Sequence, residues 1–214
     1  GCAFVSFGRP WVAQRVWAMP GWPAGASPFR CSVRFVSFPA RFSTKTLPSL
    51  VRTVLEETGL PPEALLLEIT ESLAVGEAES TLVLLEDLKA IGCRLALDDF
   101  GTGSSSLSYL KRFPVDIIKI DRSFVRDLKV NAHDAAIARA TIGLAQSLGL
   151  QVVAEGVETE GQLEWLHDEG CSLMQGYLFS PPLPAEECPA WLTRMLPVTS
   201  QSQRKTGTKK REQV

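Results

Sequence analysis

Acidic residues are missing from the first 55 positions of this 214-residue chain, a stretch that holds seven Arg and Lys. Histidine occurs only as His133 and His167. Both fall on helical stretches and read as surface residues, which leaves little for a histidine-based metal centre. The five cysteines (Cys2, Cys31, Cys93, Cys171 and Cys188) include no Cys-x-x-Cys pair and no metal spacing. Their odd number argues against a disulfide framework and for a reducing compartment. No run approaches the roughly 18 apolar residues of a membrane-spanning helix. Arg9, Pro10, Arg15 and Pro20 interrupt the N-terminal stretch before it could act as a signal peptide. The expectation is a cytoplasmic protein.

What is present is an ordinary globular composition, 45% hydrophobic and 21% charged. That excludes collagen, coiled coil and wholesale disorder, and the length suits one domain with tails. The formal net charge of −2 conceals a split. Residues 56–197 hold ten basic and 23 acidic residues, whereas residues 198–214 hold five basic and one acidic. The last stretch has no apolar periodicity and reads as a disordered basic tail.

From residue 46 the punctuation is regular. Thr46 and Pro48 open a helix and Gly59 ends it. Residues 65–69, 94–97, 116–120, 151–154 and 172–175 read as five short buried strands, with a sixth over Val33–Phe38. Helices are expected through Leu82–Leu88, around Leu107–Lys111, over Asp134–Leu148 and Gly161–Glu169, and over Glu186–Leu196. Alternation of this kind calls for an α/β protein with a parallel sheet and helices outside, either a barrel or a doubly wound sheet.

Charged and polar residues recur at the carboxyl end of each strand. Glu68 and Glu71 follow the first clear strand, Asp98 and Asp99 the second, Lys119 and Asp121 the third, Glu155 and Glu158 the fourth, and Gln175 the fifth. In a parallel barrel these ends open on one face, so the groups converge there. Carboxylates without histidine suit Mg²⁺ or Mn²⁺. Adjacent Asp98 and Asp99 can serve two neighbouring ions, an arrangement used for attack of water on phosphodiesters. Lys119 could orient that water or stabilise charge on phosphate; the plainer alternative is a buried ion pair with one of the rim carboxylates. The Gly101–Ser106 loop leads into a helix N-terminus and reads as a mobile lid or a metal-supporting loop.

The segments Leu67-Glu68-Ile69-Thr70-Glu71-Ser72, Asp98-Asp99-Phe100-Gly101-Thr102-Gly103, Ile118-Lys119-Ile120-Asp121, Ala154-Glu155-Gly156-Val157-Glu158 and Gln175-Gly176-Tyr177 resemble, in order and spacing, the EAL domain family. The resemblance covers about residues 42–190. It implies a modified TIM (β/α)8 barrel and metal-dependent hydrolysis of cyclic di-GMP to linear pGpG with Mg²⁺ or Mn²⁺. By that resemblance Glu68, Asp98, Asp99 and Glu155 look like metal ligands, with Glu155 also the base. Lys119 looks like the residue holding the nucleophilic water, and Glu71 like the anchor of the loop after Asp98-Asp99. Asp121, Glu158 and Gln175 match further site positions. The implied partners are cyclic di-GMP, a second copy in a homodimer, and GGDEF or sensory domains in a longer parent, with no nucleic acid.

The chain also departs from that pattern. The family's first-strand Glu has no counterpart, since no Glu precedes Glu56. Its Asn-x-Ser segment, aligned through Phe42, falls on Val36 and Phe38, and the only asparagine is Asn131. The expected organisation is a divergent segment over 1–41, a partial EAL barrel over 42–197 short of its first strands, and the tail over 198–214. Residues 1–30 hardly supply the two further strands of an eight-stranded barrel, and one source of the 1–41 stretch would be a shifted reading frame. Lacking two ligands, the chain is expected to turn over weakly or not at all; the alternative is a non-catalytic cyclic di-GMP receptor or interaction module.

Overall fold

A computed structural model of the chain describes residues 17–18, 32–33, 46–71, 78–103, 110–181 and 187. Strands and helices alternate through most of it. In order these are β1 (Trp17–Ala18), β2 (Ser32–Val33), α1 (Leu47–Thr58), a 3-10 turn (Pro62–Ala64), β3 (Leu66–Thr70), α2 (Ala78–Ile91), β4 (Arg94–Phe100), β5 (Ile117–Ile120), α3 (Arg122–Arg126), α4 (Ala132–Ser147), β6 (Gln151–Glu155), α5 (Glu160–Asp168) and β7 (Leu173–Gln175).

Local chemistry explains most boundaries. Pro48 sits in the first turn of α1, and Gly59, at φ 64°, donates its N–H to Leu55 O and ends the helix. Thr46 holds the N-cap position, but its side chain makes no capping bond. Asn131 and Thr159 cap α4 and α5 through their side chains; Thr159 and Gln162 form a reciprocal capping box. Helix α4 therefore starts two residues before Asp134, because Asn131 supplies the cap.

The sheet order is β1-β7-β6-β5-β4-β3-β2. Strands β2 to β7 run parallel, and β1 lies antiparallel to β7, with Trp17 beside Met174 and Ala18 beside Leu173. This is an α/β, TIM-barrel-like fold. Among the described residues β1 and β2 do not pair with each other, so the order has two ends. Residues 1–30, expected hardly to supply the two further strands of an eight-stranded barrel, contain β1, a two-residue edge strand too short to leave a periodic signal. Of the sixth strand expected over residues 33–38, Val33 lies in β2; residues 34–38 fall outside the described residues, as do the 186–196 helix apart from Glu187 and all of 198–214.

Side-chain alternation along the strands separates two layers. Leu67, Ile69, Leu95, Leu97, Ile118, Ile120, Val152, Ala154 and Met174 join the cluster that includes α2, α4 and α5. The opposite face of the same strands contributes a separate cluster, Leu66, Ala96, Ile117, Val153 and Leu173, one residue per strand from β3 to β7. A fully buried leucine in the outer layer, such as Leu85 or Leu95, contributes about 1.5–3 kcal/mol by leaving water. The inner cluster is the floor on which the next layer stands.

Candidate active site

Two residues beyond each floor residue, on the same face, stand Glu68 (after Leu66), Asp98 (after Ala96), Lys119 (after Ile117), Glu155 (after Val153) and Gln175 (after Leu173). Period-2 alternation therefore delivers five polar groups to one level at the carboxyl ends of β3–β7. Glu68, Asp98, Lys119 and Glu155 are all buried, with Lys119 1% exposed.

Lys119 is the centre of this layer. Its Nζ lies 2.8 Å from Glu68 Oε2 and 3.1 Å from Asp98 Oδ1, and it contacts Glu155 Oε1. The plainer expectation for Lys119, a buried ion pair, thus describes its geometry, with three carboxylates in place of one. Burial alone would lower its pKa. The Glu68, Glu155 and Asp98 carboxylates outweigh that and hold it above the ordinary lysine value. These four groups sum to two net negative charges.

The backbone bends where the aspartates enter. Leu97 pairs with Ile118 and Phe100 with Ile120, so Asp98 and Asp99 together face the single Lys119 across a bulge. Asp99 takes φ 56°, a left-handed conformation that aspartate tolerates better than most residues. Strand β4 does not stop at Leu97, as the apolar run suggested, but continues through both aspartates to Phe100. Beyond the bulge, Thr102 Oγ1 donates to Asp99 O at 2.8 Å. Glu71, buried at the end of β3, accepts the Gly101 N–H at 3.0 Å. Residues 104–109, which include the rest of the Gly/Ser loop and most of the 107–111 helix, lie outside the described residues.

The remaining site residues are placed differently. Asp121 caps α3, a helix with no counterpart in the sequence reading; its Oδ1 accepts the Ser123 N–H at 2.9 Å. Glu158 is exposed, and its N–H donates to Gln162 Oε1 at 2.8 Å. Gln175 pairs in register with Glu155, and its carbonyl accepts the Val157 N–H at 3.0 Å. Gly176 has a packing role beside the site. A Cβ there would fall onto the Val157 backbone, so the close approach of the β7 end to the loop after β6 requires glycine. A glycine directly beyond the last strand residue was the available signal.

The EAL domain family model matches residues 11–182. The chain belongs to the EAL domain family. It is 48% identical over 147 residues to the bifunctional diguanylate cyclase/cyclic di-GMP phosphodiesterase MucR of Pseudomonas aeruginosa, covering 69% of this chain and 22% of MucR. It therefore spans about a fifth of the length of that relative. Among solved structures, the PaMucR phosphodiesterase in complex with c-di-GMP superposes with a TM-score of 0.71 at 44% identity, covering 77% of this chain and 66% of that one. The Klebsiella pneumoniae BlrP1 manganese/cy-diGMP complex gives 0.63 at 35%, covering 72% and 39%. The family match begins upstream of Phe42, within the stretch whose motifs are hardest to read.

For this EAL domain the fit of a divalent ion rests on donor chemistry. Glu68, Asp98 and Glu155 are hard oxygen donors at one level, with Asp99 next to Asp98 in the bulge, a donor set that suits Mg²⁺ or Mn²⁺. Among the described residues no group of three or more His, Cys, Asp or Glu is arranged to hold a metal ion. The three buried carboxylates contact Lys119 instead. Positions 36 and 38 lie outside the described residues. The single asparagine is engaged elsewhere, where Asn131 Oδ1 accepts the His133 N–H at the start of α4. No helix among the described residues is long and apolar enough to cross a membrane.

Proposed function

We propose that this EAL domain binds cyclic di-GMP at the carboxyl ends of β3–β7 and carries the machinery for its metal-dependent hydrolysis to pGpG, with weak or no turnover. One observation carries the reading: Glu68, Asp98 and Glu155 converge in a buried layer around Lys119, beside Asp99. Glu68, Asp98, Asp99 and Glu155 would hold Mg²⁺ or Mn²⁺. Bound there, the ion supplies neutralisation of phosphate charge and a water acidified enough to attack. The Glu155 carboxylate would be the acceptor for the attacking water's proton. The Lys119 ammonium orients the water or faces the charge that grows on phosphate oxygen. Glu71, through the Gly101 amide, keeps the bulge that presents Asp98 and Asp99. The solved MucR and BlrP1 complexes, which contain cyclic di-GMP, support the choice of ligand.

Weak turnover rests on the departure at the Asn ligand position. The Asn-x-Ser position, aligned through Phe42, falls on Val36 and Phe38, and the only asparagine, Asn131, is a helix cap. Loss of groups that merely orient metal ligands typically costs 10–100-fold, and loss of ligands themselves costs more. The same observation favours a second reading, a cyclic di-GMP receptor without catalysis. A cytoplasmic location, a homodimer and a neighbouring GGDEF or sensory domain in a longer parent belong to the proposal; MucR, itself bifunctional, supports the last.

The test is incubation of the purified chain with cyclic di-GMP and Mn²⁺, beside Glu155→Ala. The expected outcome is binding with little pGpG. Robust pGpG formation that Glu155→Ala abolishes overturns the weak-turnover reading and keeps the enzyme. Neither binding nor hydrolysis overturns the ligand assignment itself.

A further inference from the structure

The three oxygens on Lys119 come from β3, β4 and β6, so one ammonium on β5 ties four strands of the barrel at a single level. The side chains involved are buried, and water cannot readily screen carboxylates packed this closely. A divalent ion held by any two of them needs oxygens at about 2.0–2.1 Å. It would then stand a few ångström from a like-charged ammonium that already contacts one oxygen of each carboxylate. Two cations this close repel, so each weakens the other's hold on the three carboxylates.

We propose that Lys119 is the internal counter-cation of this domain: it keeps the carboxylate layer folded when no metal is bound, and it competes with the divalent ion for Glu68, Asp98 and Glu155. In this role Lys119 is a positioning residue for the metal ligands. The competition half rests on the reading that the layer takes a metal; the folding half does not.

The test uses the full chain, its thermal unfolding in EDTA, and Mn²⁺ binding followed by electron paramagnetic resonance. The wild type is expected to unfold cooperatively in EDTA. Lys119→Met should lower that Tm by roughly 10 °C or more, because it leaves buried carboxylates without their cation. It should also bind Mn²⁺ at least about tenfold more tightly, since a repelling charge has gone. A lysine with a merely structural role would leave Mn²⁺ affinity unchanged or weaken it. Should Lys119→Met fail to fold in EDTA, the double variant Lys119→Met/Glu68→Gln carries the test, because the layer regains its wild-type net charge. Recovery of a cooperative transition supports the counter-cation, and no recovery overturns it. A wild type unfolded in EDTA overturns it as well. Equal or weaker Mn²⁺ binding by folded Lys119→Met overturns the competition alone. Absence of Mn²⁺ binding by both proteins overturns the metal reading under Proposed function instead.

Discussion

Glu71 Oε2 accepts the Gly101 N–H at 3.0 Å, linking the end of β3 to the residue just past the Asp98–Phe100 bulge. The bond spans 30 positions in sequence and is made by a carboxylate that is almost fully buried. It fixes the loop at the point where the chain leaves two candidate metal ligands, so it joins site geometry to fold stability. Glu71→Ala is expected to cost about 1–3 kcal/mol, the range for removing a charged hydrogen-bond partner. It should also speed amide exchange at Gly101 and Thr102 more than elsewhere in β4. Glu71→Gln keeps an acceptor oxygen and should fall between Ala and wild type. Residue-resolved hydrogen exchange decides this: unchanged Gly101 protection in Glu71→Ala would mean that the loop is held by something else.

Two glycines make opposite predictions from the same substitution. At Gly176 an added Cβ would meet the Val157 backbone, which cannot swing aside as a flexible side chain could. Gly176→Ala is expected to destabilise by about 1–3 kcal/mol through overpacking, and to disturb the Gln175 and Leu178 hydrogen bonds to Val157. At Gly143, on the exposed side of α4, a Cβ would meet nothing within 4 Å. Gly143→Ala is expected to stabilise by about 0.5–1 kcal/mol, the helix-propensity gain over glycine. Urea midpoints moving in opposite directions are the expected result; a shared direction would contradict the packing at Gly176.

The contrast between Lys119 and Asp121 shows what could be read from sequence. Both are charged residues at the end of one apolar strand. Alternation with Ile117 places Lys119 on the inner face, and the same alternation along β3, β4 and β6 brings Glu68, Asp98 and Glu155 to that face. The polar layer was therefore legible strand by strand. That three of its members meet at one Nζ was not, because it depends on the stagger between strands, which no single strand encodes. Asp121 follows the strand yet turns to cap α3, a five-residue helix too short to show a period. The bulge was hidden for a related reason: a strict period of two carries no sign of the register shift between Leu97 and Phe100 or of the left-handed backbone at Asp99, φ 56°.

Cys171 offers a pH-dependent prediction. It is fully buried, and burial pushes its thiol up to about 12, with bonds to the Leu173 and Ala154 backbone working the other way. Burial likewise raises the Cys93 thiol, against the lowering effect of Lys89. Thiolate is the reactive form, so neither residue should alkylate in the native protein at pH 8. The unfolded thiol ionises near 9.0. The stabilising contribution of the buried neutral Cys171 is accordingly complete below that value and is lost as pH rises from about 9 towards 12. Iodoacetamide mapping by mass spectrometry should find Cys93 and Cys171 modified only after unfolding, and Cys171→Ala should flatten the alkaline fall in stability. Rapid native labelling of Cys171 would contradict its placement.

Asp121 separates a capping role from a role at the site. Partial burial raises its pKa, but the Ser123 side chain and the Ser123 and Arg122 backbone N–H groups outweigh that and hold the carboxyl below its ordinary 3.8. A folded value below the unfolded one adds stability that is present above pH 3.8 and disappears as pH falls through the folded value. Asp121→Ala is expected to cost about 1 kcal/mol at pH 7, as for other lost N-caps, and close to nothing once the wild-type carboxyl is protonated. Asp121→Asn retains the acceptor for the Ser123 N–H and should cost less. Denaturation midpoints followed from pH 7 downward for the three proteins, until the wild-type advantage levels off, give the comparison. If Asp121→Asn matched wild-type stability but lost cyclic di-GMP binding, Asp121 would act on the ligand through its charge as well as on α3 as a cap.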